Sequence, residues 1–349
     1  MRTWRVFKRW ALGLLTHSPE TCAVAMPDLL QLIIAQVDVG TGMNVRCVSV
    51  ACRDAVARAG LQPLPGFEEQ QALQGFLRAE GGIWTLQRQD ALAQTVSRHR
   101  EITEAMRVTL VNWLIEVHYK FRTLSDRCMH QTVQIFDHYM ATVPADVVGR
   151  PQYQRVGVTA FKIASAEVSG THIHVRDLAW ITNGSSTADE ITACEQLMRD
   201  TLDEGFLGLP NASDFLPRLC AAARLDLSQT LARSLVLFFL DVAALCSDVS
   251  PLPPSLLASA AIFGALRVLS QPPWTPQLEY YSTHAQATVH ALTDRLEGAA
   301  LTVQAPGLQG KYQQPRWSGR DDATGAQRCW PVIAAYLDQK RAAQVPAAG

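Results

Sequence analysis

A chain of 349 residues with 48% apolar side chains is long enough to bury one large core or two moderate ones. Its 31 basic and 32 acidic residues leave a formal charge of −1, which excludes a global basic field for nucleic acid, although the first 25 residues and the stretch after 306 are locally basic. Eight scattered cysteines without a CxxC pair exclude a disulfide framework or a zinc site and fit a reducing compartment, and no apolar run reaches membrane-spanning length.

In chain order, residues 1–25 read as a basic, loosely amphipathic tail (Arg2, Arg5, Lys8 and Arg9 beside Trp10 to Leu15), with an apolar region too short for a signal peptide. Residues 26–60 carry apolar side chains at helical spacing, including Pro27, Leu30, Ile34 and Val37, followed by Val48 and Cys52. Gly60, Pro63, Pro65, Gly66, Gly75, Gly81 and Gly82 mark a linker over 61–83. Met106, Leu110, Trp113, Leu114, Val117 and Phe121 then form one apolar helical stripe, and Met129, Val133, Phe136 and Met140 form the next. Val156, Ala160, Ile163 and Ala164 supply small residues for close helix approach. Thr187-Ala-Asp-Glu190 is a capping box opening a helix with Ile191, Cys194, Leu197 and Met198.

The run Gly205 to Pro210 ends this first helical region, 84–208. In the second, 209–305, Ser213 is the expected N-cap and Leu231, Leu235, Phe239 and Val242 mark a helix. Leu256 to Leu269 is apolar nearly all round, so it belongs at a bundle centre, and Val289 to Ala300 closes the set. After 306, Pro306, Gly307, Gly310 and Pro315 with weak periodicity read as a C-terminal tail. The fold class is all-α: two tandem groups of about five helices, each around one buried helix.

Specific strings add a family. Glu101 to His118, containing Met106-Arg-Val-Thr-Leu-Val-Asn-Trp113, resembles the opening of the cyclin box in mitotic cyclins. Gln134-Ile-Phe-Asp-His-Tyr-Met, Val156-Gly-Val-Thr-Ala-Phe-Lys-Ile-Ala-Ser and Ala179-Trp-Ile-Thr-Asn resemble its later helices. Ser259-Ala-Ala-Ile-Phe-Gly-Ala-Leu and Lys311-Tyr-Gln-Gln-Pro-Arg-Trp-Ser-Gly resemble the second box and the segment behind it. Met26 to Asp38 with Val45 to Val56 resembles an F-box, an arrangement similar to F-box cyclins.

The resemblance implies roles residue by residue. Arg107 and Asp137 match a buried structural pair. Met106, Leu110, Trp113, Glu116 and Gln154 match a patch that docks basic-x-Leu peptides, with Thr109 in place of an aliphatic residue. Glu195 matches a glutamate that grips a kinase together with a lysine. Ala166 stands at the lysine position, Glu167 at an adjacent aromatic one and Arg199 at an apolar one, while Lys162, beside Ile163, lies one turn earlier on the same face. Pro27, Leu30, Ile34, Val37, Val48 and Cys52 would face Skp1.

The chain carries no P-loop, GxGxxG, HExxH, GxSxG or kinase motif set, so no catalysis, cofactor or metal is expected, and His172-x-His174 reads as loop surface. The resulting expectation is an F-box cyclin of nucleus and cytoplasm. It would be a non-catalytic substrate adaptor joining a Skp1-type adaptor and cullin to basic-x-Leu targets. The alternative is the regulatory subunit of a cyclin-dependent kinase. A third reading is a cyclin-like scaffold in RNA or transcriptional regulation.

Overall fold

Thr103 starts the first long helix: its hydroxyl accepts the Met106 N–H at 3.3 Å, which opens α1 (Glu104–Lys120). The computed structural model describes residues 75, 77, 80, 98–121, 123–202, 204–314 and 329–344. Four helices follow α1 in the first box: α2 (Asp126–Thr142), α3 (Arg150–Ser169), α4 (Val175–Ile181) and α5 (Ala188–Thr201). The small residues of α3 let it lie at the centre, packed on α1, α2 and α5 and buried from Val156 to Ser165 except at Lys162. Gly157 permits the closest of these contacts, since a Cβ there would stand 3.0 Å from the Leu110 methyls. The capping box of α5 forms as expected: Thr187 Oγ1 accepts the Glu190 N–H at 3.2 Å, and Glu190 Oε2 accepts the Thr187 N–H at 2.8 Å.

The second box repeats the plan with α6 (Ala212–Ala222), α7 (Thr230–Leu245), α8 (Pro254–Val268), α9 (Pro276–Ser282) and α10 (Gln286–Thr302). Here α8 is central and buried without a break from Pro254 to Leu266, as its all-round apolar composition requires. Gly264 seats the Phe239 ring, which a Cβ would meet at 2.8 Å. The cap of α6 corrects one expectation. Asn211, not Ser213, is the N-cap: its side chain accepts the Ser213 N–H at 2.9 Å, while Asp214 accepts the Asn211 N–H at 2.8 Å.

The described part of the stretch after 305 is more ordered than its weak periodicity suggests. It forms α11 (Pro306–Gln313), which packs on α1 of the first box, and α12 (Cys329–Gln344), which packs on the second. Asn112 Oδ1 accepts the Leu308 N–H at 3.1 Å, and the missing side chain of Gly307 lets the α11 backbone approach the Asn112 carbonyl, which a Cβ would meet at 2.5 Å. Lys311 Nζ donates to Asp241 of α7 at 2.7 Å and stands 3.8 Å from Asp126 of α2, and Tyr312 also donates to Asp241 at 2.7 Å. Arg127–Asp214 and Arg233–Asp126, both at 2.6 Å, join the boxes further.

Ahead of the first box, Glu80 is buried against the start of α8. Its carboxylate accepts the Ser255 N–H and hydroxyl, both at 2.6 Å, and Ser255 Oγ also lies 2.8 Å from His284 Nε2. Burial pushes the Glu80 carboxyl up to about 7, against the opposing Ser255 bonds, and pushes His284 down to about 4. The signs are opposite. Glu80 contributes stability that is complete below its unfolded value of 4.5 and is lost as pH rises through about 7. His284 contributes stability that is complete above 6.5 and is lost as pH falls towards 4. Glu80→Gln is therefore expected to flatten the fall in urea midpoint between about pH 5 and about pH 8. A fall as steep as that of the wild type would remove Glu80 as its source.

Candidate functional site

The Arg107–Asp137 pair forms as the sequence implied, with Nη2–Oδ2 at 2.7 Å and Nε–Oδ1 at 3.0 Å. It does more than join α1 to α2. Arg107 also donates to the Leu245 carbonyl at 3.1 Å and to Ser250 Oγ at 3.0 Å, and the Ser250 hydroxyl donates to Asp137 at 2.6 Å. Both added partners belong to the second box. The pair thus holds the angle between the two boxes on which any shared surface depends.

On the outer side of α1, a groove of about 660 Å³ runs between α1 and the α4–α5 turn. Trp113, Glu116, Lys120 and Phe121 form one wall, and Ala179, Trp180, Asn183 and Gly184 belong to the other. The turn is tight, with Asn183 and Gly184 both left-handed at φ 53° and 77°. Two predicted patch residues, Trp113 and Glu116, line this groove and are half-buried. Met106 is half-buried two turns before Trp113 on α1, outside the lining of the groove. Leu110 goes instead into the core against Gly157, and Gln154 accepts a hydrogen bond from Ser185 at 2.8 Å. Sequence reasoning missed Trp180, which is 81% exposed on the rim; its only signal was an aromatic just ahead of a Thr-Asn-Gly turn. Glu116 is held by Lys120 at 2.6 Å, an exposed i,i+4 pair that a competing cation can displace.

On the α3–α5 side the structure brings the other candidates into one chain of charges. Lys162 Nζ meets Glu195 Oε2 at 2.5 Å, Arg199 Nε meets Glu195 Oε1 at 3.2 Å, and Arg199 Nη1 meets Glu167 Oε1 at 3.0 Å. Ile163 is buried in the core below, and Ala166 lies half-buried on the same helix. Lys162, one turn before Ala166, thus sets its ammonium group against Glu195.

Pro27, Leu30, Ile34, Val37, Val48 and Cys52 lie outside the described residues. Exposed His174 caps α4, its Nδ1 accepting the Arg176 N–H at 3.2 Å. No helix among the described residues is long and apolar enough to cross a membrane.

Two tandem five-helix units around α3 and α8, pinned by a buried Arg–Asp pair, define the double cyclin box. The cyclin N-terminal domain matches residues 83–204 and the cyclin C-terminal domain matches residues 210–320, and the chain belongs to the cyclin family. It is similar to the G2/mitotic-specific cyclin-B of Patella vulgata, with 30% identity over 207 residues, 59% of this chain and 48% of that protein. It is also similar to the G2/mitotic-specific cyclin-B1 of Anguilla japonica, with 32% identity over 188 residues, 54% of this chain and 45% of that protein. The chain thus spans about half the length of the curated relatives it matches. A viral cyclin from herpesvirus saimiri shares the fold, with a TM-score of 0.56 at 20% identity over 65% of this chain and 97% of that one.

These relatives correct the expectation of an F-box adaptor. The similar proteins are G2/mitotic-specific cyclins, and the family match begins at residue 83, beyond the 26–60 module. The expectation leaned on Ala166 as a lost grip, with Lys162 one turn earlier; Lys162 is paired with Glu195.

Proposed function

We propose that the chain is a non-catalytic cyclin, the regulatory subunit of a cyclin-dependent protein kinase, acting at mitosis in nucleus and cytoplasm. The observation that carries this reading is the Lys162–Glu195 pair at 2.5 Å on the α3–α5 face. A cation from the third helix and a carboxylate from the fifth stand together, partly exposed, where a kinase's regulatory helix would be gripped. Similarity to G2/mitotic-specific cyclins supports the same assignment. Arg199 and Glu167 extend the grip with charge where an apolar contact was expected, so the kinase partner would meet this face through polar groups. The α1–α4 groove would then dock target proteins, with Trp113 receiving a leucine and Glu116 a basic residue.

The test is binding to, and activation of, purified cyclin-dependent kinase catalytic subunits. Lys162→Ala and Glu195→Ala are each expected to weaken binding on the order of 10- to 100-fold, since the pair is only partly buried. Wild type that neither binds nor activates any of them would refute the assignment, and equal binding and activation by all three proteins would move the grip away from the Lys162–Glu195 pair. For the groove, Trp113→Ala is expected to weaken a fluorescent basic-x-Leu peptide by roughly 10-fold or more. Unchanged affinity would move docking elsewhere.

A further inference from the structure

The two boxes carry the same cross-helix device on equivalent helices, but among the described residues only one of them is covered by another helix. In the first box a cation of α3, Lys162, meets Glu195 of α5. In the second a cation of α8, Arg267, meets Glu297 and Asp294 of α10 at 3.0 and 2.7 Å. Over the second pair lies α12. Its Cys329, Ile333 and Leu337, spaced i, i+4 and i+8, are buried against the box, and Tyr336 and Lys340 reach Glu297, each at 2.6 Å. The Glu297 side chain is left only 5% exposed.

Three features mark α12 as a bound helix separable from the box. Below it, α7, α8 and α10 already pack on one another. Glu297 keeps Arg267 when α12 departs, so no unpaired buried charge is left behind. And α12 lies beyond residues 210–320, the extent of the second cyclin domain.

We propose that the α7–α8–α10 face of the second box is a helix-binding site that this chain fills with its own α12. The ligand it takes is an amphipathic helix. It presents an apolar row, a small residue at i and aliphatic ones at i+4 and i+8, with a hydroxyl at i+7 and an ammonium at i+11 converging on Glu297. The occupant in the resting protein is residues 329–344 in cis, and a partner helix of the same pattern must displace it. The proposal does not depend on the kinase assignment, because it concerns the other box.

The test uses a fluorescent peptide of residues 329–344 and the full-length chain. Wild type is expected to bind none of it, because the site is filled. Full-length Ile333→Asp/Leu337→Asp, with α12 detached, is expected to bind it saturably. Adding Glu297→Gln to that variant, or Tyr336→Phe/Lys340→Ala to the peptide, is expected to weaken binding roughly 10-fold or more. A detached variant that melts cooperatively with native helical content yet binds no peptide would overturn the proposal. Should that variant fail to fold, hydrogen exchange on the wild type decides. The amides of 329–344 are expected to open at least roughly 10-fold more often than those of α8. Exchange of both only through global unfolding would make α12 a constituent of the box and overturn the proposal.

Discussion

Arg107→Met is expected to destabilise the chain by about 3–5 kcal/mol, because it leaves the Asp137 carboxylate in a largely dry site with only the Ser250 hydroxyl. The Arg107 side chain is 3% exposed and that of Asp137 13%, so solvent cannot take over the missing partner. The reverse change, Asp137→Asn, strands a guanidinium that is still more deeply buried and is expected to cost at least as much. Replacing both, Arg107→Met with Asp137→Leu, removes the uncompensated charge and is expected to recover most of the loss. Urea midpoints for the wild type, Arg107→Met, Asp137→Leu and the double variant form a double-mutant cycle. Additive losses would show that the two groups act independently and would refute the coupling.

The second large effect is expected from Lys311→Met. Lys311 and Asp241 are both 0% exposed, and Lys311 also faces Asp126, so one ammonium group serves two carboxylates from different boxes. Burial pushes the Asp126 carboxyl up, but Lys311, Arg233 and His118 outweigh it and hold it well below the usual carboxylate range. Stability from Asp126 is therefore complete above its unfolded value of 3.8 and is lost as pH falls below it. Without Lys311 that depression shrinks, and acid unfolding should begin at a higher pH. The expected cost at neutral pH is about 3–5 kcal/mol. His118 offers a local readout: burial first, then Lys311, push its pKa down to about 4, so the variant's His118 should titrate at higher pH by NMR. An unmoved His118 titration together with an unmoved melting midpoint would mean that Lys311 is not the tie between the boxes.

The periodicity around 106–121, 256–269 and 289–300 was enough to place α1, α8 and α10, because local apolar spacing is what dictates those elements. The Arg107–Asp137 pair, 30 residues apart, was legible only through the resemblance of its two motifs to the cyclin box. Its ties to Ser250 and the Leu245 carbonyl were not, since separations of 143 and 138 residues leave no local pattern. Asn211 caps α6 where Ser213 was expected, and Asn211 and Asp214 stand at capping-box spacing. Leu110 shows the limit of a stripe: periodicity puts it with Trp113, but Gly157 opens a hole that draws it inward. The apolar row of α12, with two intervals of four, was short enough to be hidden by the glycines and prolines before it.

The position of α11 also bears on how the chain is made. Leu308 meets Asn112 across 196 residues, so the outer face of α1 is finished by material that leaves the ribosome long after α1 itself. At roughly 5–20 residues per second that interval is on the order of 10–40 s. Throughout it, Asn112, Tyr119 and the buried carboxylate of Asp126 wait for Gly307, Gly310 and Lys311. A nascent first box is therefore an incomplete object, open to holdases and to the quality-control machinery until the second box and its strap have emerged.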